Sequence, residues 1–456
     1  MSTARSPQSA PPAVAAWIAG LRFDDIPAAT VARVQDLLLD TLAVAIGAAR
    51  VPASAIAAEF AGAQFGPGPA GAARLPFDGR PVSPAGAAWA LATRIDNLDA
   101  HDGYQPAKGH AGVALVAALL ALAQQQANAV HGRTALAALV AGYEIACRAG
   151  AALHATAGDY HSSGAWNALG VAALGCRLRG IEDPERIEAA LGAAEYHAPR
   201  APMMREVDAP SMLHDSSGWG ALAGVTAVEL AAAGFEASPA ALPHDPSVAA
   251  LWSDLGRAWL VERQYVKPHP VCFWAQPAIR AALALRAAHG LDPASIGRVR
   301  IDTFHEASRL AAGVPATTAR AQYALAFPVA CALQRGRVGP DEIAGSGLGD
   351  PAIHALTARI EVAERPEFSA RFPEQRLAEV SLQLADGRSL ASGTFQPRGV
   401  PDDPLDRAAI EDKLGVYAEG LWPAARQREL VRAVQSLHAP DATLAPLLRP
   451  CLGDGA

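Results

Sequence analysis

Through the first half of the chain, apolar residues recur with helical spacing. From Pro27 to Ala48, Val31, Val34, Leu37, Leu38, Leu39, Leu42, Val44 and Ile46 follow the three-to-four-residue period of a helix that closes near Gly47. Asp40 interrupts this apolar run and is expected to face a neighbouring helix or a partner subunit. Gly66 to Ser83 is rich in glycine and proline and reads as a loop, and Ala85 to Ile95 as a short helix. His110 to Gln126 is apolar on nearly every side, the mark of a helix buried all round. Further helices are expected over Thr134 to Ala152, with Thr134 as N-cap, and over the small-residue runs Ala168 to Leu178 and Ala223 to Ala233. Tyr196 to Arg200 and Met203 to Glu206 read as polar and irregular.

The period changes after Val261. Tyr265-Val-Lys-Pro-His-Pro-Val-Cys holds two prolines that forbid a regular helix. A helix from Gln276 to His289 follows, and then alternation of period two predicts strands over Arg298 to Phe304, Ala358 to Val362 and Ala378 to Leu384. The last turns at Asp386-Gly387, a hairpin signal, into Ser389 to Phe395. Gln396 to Pro404 reads as a linker, and Arg407 to Leu437 returns to helices that pack back on the first part. The fold class is therefore mainly α, with a large all-helical domain (13–262 with 402–456) and a smaller α+β lid domain (263–401). Residues 1–12 read as a disordered tail.

Composition narrows the functional classes. Charged residues are only 18% of the 456, and the formal net charge of −7 leaves no electrostatic footprint for nucleic acid. The five cysteines stand singly, which fits reduced thiols in a cytoplasmic protein. Met1 to Pro12 lacks a secretory pattern, and the apolar runs fall short of the roughly 18 residues of a membrane span. Neither nucleic acid nor membrane is an expected partner.

Candidate chemistry concentrates between Ile95 and Gly112, where Asp96, Asp99, His101, Asp102, Lys108 and His110 lie between two apolar runs. Buried ionisable groups need partners or a function, and carboxylates beside imidazoles suit proton transfer. Three readings fit the group: a divalent metal site, structural capping with ion pairing, or metal-free acid–base work. No H-E-x-x-H or comparable ligand pair accompanies it, so no metal is expected. Lys267, held by Pro268 and Pro270 and close to His269, falls in a rigid segment where the two parts meet, a favoured place for ligand sites. A buried lysine there is a base or an anion-binding charge. Tyr160-His161-Ser162-Ser163-Gly and His214-Asp-Ser-Ser-Gly each place a histidine and two serines at the mouth of a small-residue helix. There is no nucleophile elbow, P-loop or dinucleotide fingerprint.

In order and spacing, several segments resemble the MmgE/PrpD family over nearly the whole chain. They are Asp40-Thr-Leu-Ala-Val-Ala-Ile-Gly, Asn97-Leu-Asp-Ala-His-Asp through His110-Ala-Gly, Ala141-Gly-Tyr-Glu-Ile and Tyr160-His-Ser-Ser-Gly. Val266-Lys-Pro-His-Pro-Val-Cys, Gln322-Tyr-Ala-Leu-Ala-Phe-Pro-Val-Ala, Pro397-Arg-Gly and Pro404-Leu complete the set. The resemblance implies a helical domain with a lid, a homodimer, no obligatory metal or organic cofactor, and a polycarboxylate substrate bound in the cleft between the domains. It carries the catalytic residues over as Asp99, His110, His161 and Lys267. Lys267 and His161 would serve proton transfer and oxyanion stabilisation, while His110 and Asp99 orient substrate and tune the lysine. His101, Asp102, Ser162, Ser163, His214, His269 and Tyr323 are the expected substrate-binding set. Four positions depart from what the resemblance leads one to expect: His101 is unexpected, His110-Ala-Gly stands for His-Pro-Gly, Ser211-Met-Leu-His stands where a lysine is usual, and Phe327 replaces a tyrosine. The expected function is a lyase that eliminates water or CO₂ through a carbanion-like intermediate. An epimerase or isomerase acting alpha to a carboxylate, and a non-catalytic ligand-binding homologue, are the alternatives.

Overall fold

The computed structural model of the chain describes residues 13–68, 73–126 and 130–452, so the expected tail at 1–12 lies outside the described residues. The fold is mainly helical with a small mixed sheet. Its larger apolar core is built from residues between Val14 and Val266 and is completed by Leu405 to Leu452. A second core gathers Val271 to Leu384, together with Met203 and Val207 from the short Met204–Asp208 helix and its approach.

The helices of the larger core follow from local signals reinforced by burial. Ser83 caps the Pro84–Asp96 helix by accepting from the Gly86 amide at 3.2 Å, and Pro84 needs no donor partner at the first position. The Gly112–Ala123 helix is buried on every face, as its composition predicts. The Gly132–Thr156 helix starts after His131, which makes no side-chain cap, so Thr134 lies in the first turn and is not the N-cap. This helix is long and apolar enough to cross a membrane, unlike the shorter runs expected from the sequence, but it is almost wholly buried inside the protein. Its polar residues are matched internally, with Arg148 holding Glu144 at 2.9 Å and Asp254 at 2.8 Å. The Pro184–His197 helix takes in Tyr196 and His197, expected to be irregular.

The sheet of the smaller part runs in the order Ile360–Glu364, Ile296–Thr303, Ala378–Leu384, Ser389–Phe395. The first pair is parallel and the other two are antiparallel. The Gln276–His289 helix lies against it, ended by Gly290 at a φ of 55°. The chain passes between the two cores at Gln264 to Lys267 and again at Gly399 to Leu405. The crossings run together, the Val266 amide donating to the Gly399 carbonyl at 2.8 Å. Gly399 has a φ of 89°, and a Cβ there would collide with the Val266 carbonyl oxygen.

One buried residue ties these pieces. Lys413, on the Arg407–Tyr417 helix, gives its ammonium to Asp40 at 2.6 Å, to the Ala100 carbonyl at 2.8 Å and to the Lys267 carbonyl at 2.8 Å. Asp40 thus meets a helix from the far end of the chain. Removing one member of a buried pair strands the other, at about 3–5 kcal/mol. We expect Lys413→Met to lower unfolding stability by about that amount in urea denaturation, and Asp40→Leu/Lys413→Met to recover much of the loss.

Candidate active site

Two loops build the site. One follows the Pro84–Asp96 helix; the other leads into the Ser217–Ala232 helix. Five described non-glycine residues have positive φ, and four belong to these loops: Asp99 at 52°, Lys108 at 51°, His214 at 46° and Ser216 at 56°. Such conformations cost on the order of 1–3 kcal/mol each and persist where the surroundings over-determine them, often at functional sites. From its left-handed position Asp99 offers its carboxylate to the Lys267 ammonium, which also donates to the Asp99 carbonyl at 3.2 Å. Lys267 is only 1% exposed.

His110 is fixed on both sides. Its ring Nδ1 faces the Asp102 carbonyl, which can only accept, so Nδ1 carries the proton and Nε2 the lone pair. Nε2 lies 3.9 Å from Asp215 Oδ2. The His110 amide donates to Ser163 Oγ at 2.9 Å, and the Ser163 hydroxyl donates to Asp215 Oδ1 at 2.5 Å. The His101 ring lies 4.4 Å from that of His110, centroid to centroid. Both His101 nitrogens are sealed from solvent without a hydrogen bond, as are Asp96 Oδ1 (3.4 Å from His101 Nε2) and His214 Nε2. The His214 ring packs 5.6 Å from that of Tyr323. Buried polar atoms of this kind are normally satisfied, so these nitrogens and this oxygen keep hydrogen-bonding capacity that the protein itself does not use.

Burial dominates the electrostatics. It lifts Asp99 to about 6 even beside Lys267, and raises Asp96 well above its usual range with help from Asp215. It lowers His110 and His214 to about 4 and pushes His101 well below the ordinary imidazole range. Near neutral pH the site therefore presents three neutral imidazoles around one lysine–aspartate ion pair.

Of the residues singled out in the sequence, Lys267, Asp99, His110, His101, His214 and Tyr323 come together. Asp102 does not offer itself to a substrate: its oxygens accept from the Tyr143 hydroxyl at 2.5 Å and the Gly112 amide at 3.1 Å, which seats the next helix. Ser163 is likewise committed to His110 and Asp215, whereas the neighbouring Ser162 hydroxyl is buried without a partner. His161 is held by its own neighbours. Its Nδ1 donates to the Asp159 carbonyl at 3.0 Å and its amide to His154 Nε2 at 3.1 Å, with no hydrogen bond or ring contact to the Lys267–Asp99 pair. His269 donates to the Val338 carbonyl at 2.9 Å, inside the smaller part. Asp215 and Lys413 were missed. Asp215 follows His214 directly, and the buried Asp40 called for a cation such as Lys413. Among the described residues no group of three or more histidine, cysteine, aspartate or glutamate side chains is arranged to hold a metal ion.

A mainly helical protein with a second, mixed core and a sealed lysine–aspartate–histidine cluster is built for acid–base chemistry. The chain belongs to the MmgE/PrpD family: residues 13–253 match the family's N-terminal domain and residues 269–439 its C-terminal domain. It is 24% identical over 487 aligned residues to the cis-aconitate decarboxylase-like protein oryM of Aspergillus oryzae, covering 96% of both chains. It is 23% identical over 466 aligned residues to a cis-aconitate decarboxylase of Aspergillus terreus, covering 95% of this chain and 94% of that one. At the level of the family, these similarities support an enzyme of the lyase type.

The titrations oppose one another. His110 and His214, depressed to about 4, contribute stability that is present above their unfolded value near 6.5 and lost as pH falls towards 4. Asp99 and Asp102, raised to about 6, bind protons more tightly in the folded state, so each costs stability as pH rises from its unfolded value of 3.8 towards 6. Replacing Asp102 by Asn removes one of these opposing groups. Its unfolding free energy in urea should rise more steeply between pH 4 and 6 than that of the parent protein.

Proposed function

We propose that the protein is a cofactor-independent lyase that removes water or CO₂ from a small carboxylate substrate. The carrying observation is the sealed pairing of Lys267's ammonium with Asp99 beside a His110 whose Nε2 lone pair is unspent. Elimination of water needs a base to take the proton from a carbon next to a carboxylate. The C–H electron pair then forms the enolate-like centre, and hydroxide leaves with a proton from the site. Decarboxylation instead breaks a C–C bond, releases CO₂ and protonates the resulting carbanion. Both routes concentrate negative charge on the substrate, where a fixed cation in a water-excluded site stabilises it. His110 is the proton-transfer group in this reading, and an anionic substrate beside it raises its basicity. Lys267 faces the developing charge, while Asp99 orients the ammonium. His101 and His214 supply the unpartnered nitrogens that bind substrate oxygens.

The same geometry serves epimerisation alpha to a carboxylate. The binding-only reading is favoured by a different observation: where the family resemblance leads one to expect a lysine, Ser211 binds Glu206, through its amide at 2.6 Å and its hydroxyl at 2.8 Å. Assays with cis-aconitate, citrate and 2-methylcitrate separate the readings. His110→Ala should lower kcat/KM by about 10²–10⁴-fold, and parent-like turnover by that variant would refute the assignment. His161→Ala, outside the hydrogen-bonded cluster, should lose far less; an equal loss moves the reacting centre towards it. With Asp99 at about 6, kcat/KM should fall as pH drops below 6, because protonation removes the anion that holds Lys267.

Assembly as a homodimer in the cytoplasm belongs to the same proposal. Supporting it are the free, mostly buried cysteines and the exposed apolar side chains of Ile56, Leu213 and Trp219, which rim a cleft of about 180 Å³ that Asp96 and Asn97 also line. Sedimentation at micromolar concentration should give a dimer, and a monomer there would remove this part of the reading.

A further inference from the structure

The elimination leaves one proton without a carrier. His110 takes a proton from carbon, but the departing hydroxide must also receive one, and the Lys267 ammonium is committed to Asp99. A second group able to hold a proton beside His110 would complete the cycle.

Asp215 stands at that place. It lies between His214 and Ser216, two of the left-handed non-glycine residues, with φ of 46° and 56°. The Gly164 amide donates to its carbonyl at 2.8 Å. Its Oδ1 accepts twice from Ser163, from the amide at 3.0 Å and from the hydroxyl at 2.5 Å. These bonds over-determine the residue and hold the strain on either side of it. Oδ2 is left free of them: no hydrogen bond among the described residues reaches it, and it faces His110 Nε2 at 3.9 Å. Both atoms of that gap are acceptors. Nε2 carries a lone pair because the Asp102 carbonyl claims the Nδ1 proton, and a carboxylate oxygen has only lone pairs to offer. Two such atoms repel until a proton lies between them, when the contact becomes a charge-assisted hydrogen bond. The gap exceeds the usual N···O limit of about 3.2 Å, but hydrogen bonds of active sites tighten when substrate binds. The surrounding charges suit one proton. Asp215 strengthens His110's hold on it and Lys267 opposes it. Asp215 also makes Asp96, Asp99 and Glu206 harder to ionise and His214 easier to protonate, while His101 and His110 disfavour one another's charge.

We propose that Asp215 is a second catalytic proton carrier, sharing a single proton with His110 across the gap between Oδ2 and Nε2. This rests on the lyase reading. In water elimination the proton on carbon passes to Nε2 while its electron pair forms the enolate-like centre. Nε2 hands the proton to Oδ2, and Oδ2 gives it to the departing hydroxide, so water leaves and both side chains end as they began. In decarboxylation the pair starts with one proton, spends it on the carbanion as CO₂ departs, and regains one from solvent. Ser163 is a positioning residue: it keeps Oδ1 occupied and so fixes which oxygen faces His110.

The test uses the full-length protein with cis-aconitate, citrate and 2-methylcitrate. Asp215→Asn keeps an oxygen for Ser163 but cannot carry the proton. It should lower kcat by about 10²–10⁴-fold. KM should stay within about threefold, the mark of a loss confined to the transition state. Added formate, a small carboxylate that fits the vacated place, should raise the turnover of Asp215→Ala at least about fivefold and leave His110→Ala unchanged. A merely structural role for Asp215 would show no such rescue. Circular dichroism confirms folding, and Asp215→Ala with formate carries the comparison if Asp215→Asn does not fold. Parent-like kcat in Asp215→Asn, a loss carried by KM alone, no gain from formate, or an equal gain in His110→Ala would each overturn the proposal. Failure of the lyase reading looks different: no turnover by the parent protein, or parent-like turnover by His110→Ala, removes that reading and the transfer step with it.

Discussion

The rest of the structure depends on a buried ammonium that takes no part in the proposed chemistry. Lys413 holds a carboxylate from the first long helix, a carbonyl from the site loop and the carbonyl of Lys267. Taking an ammonium out of water is costly, and only a full set of well-placed acceptors offsets it. Asp40 cannot fill that role alone: burial raises its pKa, and Lys413 is what holds it ionised. Three segments far apart in sequence are therefore fixed to one point, and the backbone that carries Lys267 is set before its side chain reaches Asp99.

Around that point the protein holds polar groups in a state they do not prefer. Four left-handed non-glycine residues, an unpaired Asp96 oxygen and imidazoles stripped of partners are each unfavourable in isolation. Well-packed helices offset these costs. The Gly112–Ala123 helix is wholly buried, and close approaches such as Gly142 against Gly170 leave no room for larger side chains. In this arrangement stability resides in the alanine-rich layers and chemical potential in the loops between them.

Much of this was legible in the sequence. The Gln276–His289 helix and the Ala378–Leu384 and Ser389–Phe395 strands begin and end where the local pattern and the Asp386-Gly387 turn place them. The helices Pro52–Gln64 and Ala445–Leu452 gave no clear sign. The first is too uniformly small and apolar to show a face, and the second contains Pro450. The site divides in the same way. Asp99, His110 and Lys267 stood out because charge is rare in an apolar chain. Asp215 did not: it lies in a polar segment where His214 drew the eye, and only the structure shows it accepting from Ser163 beside His110. His269 was legible as a histidine between prolines, but sequence proximity says nothing about which way a ring turns, and this one turns to the Val338 carbonyl.

The two chain crossings between the cores lie side by side, joined by the Val266–Gly399 hydrogen bond, with a glycine where no side chain fits. Further hydrogen bonds, from Gln322 to the Asn97 carbonyl and from Gln105 to the Pro373 carbonyl, fasten the same two cores elsewhere. Lys267 is the residue after Val266, so its backbone is set by this paired crossing. The charge at the heart of the site is mounted on the seam itself, where both strands of chain and both cores hold it in place.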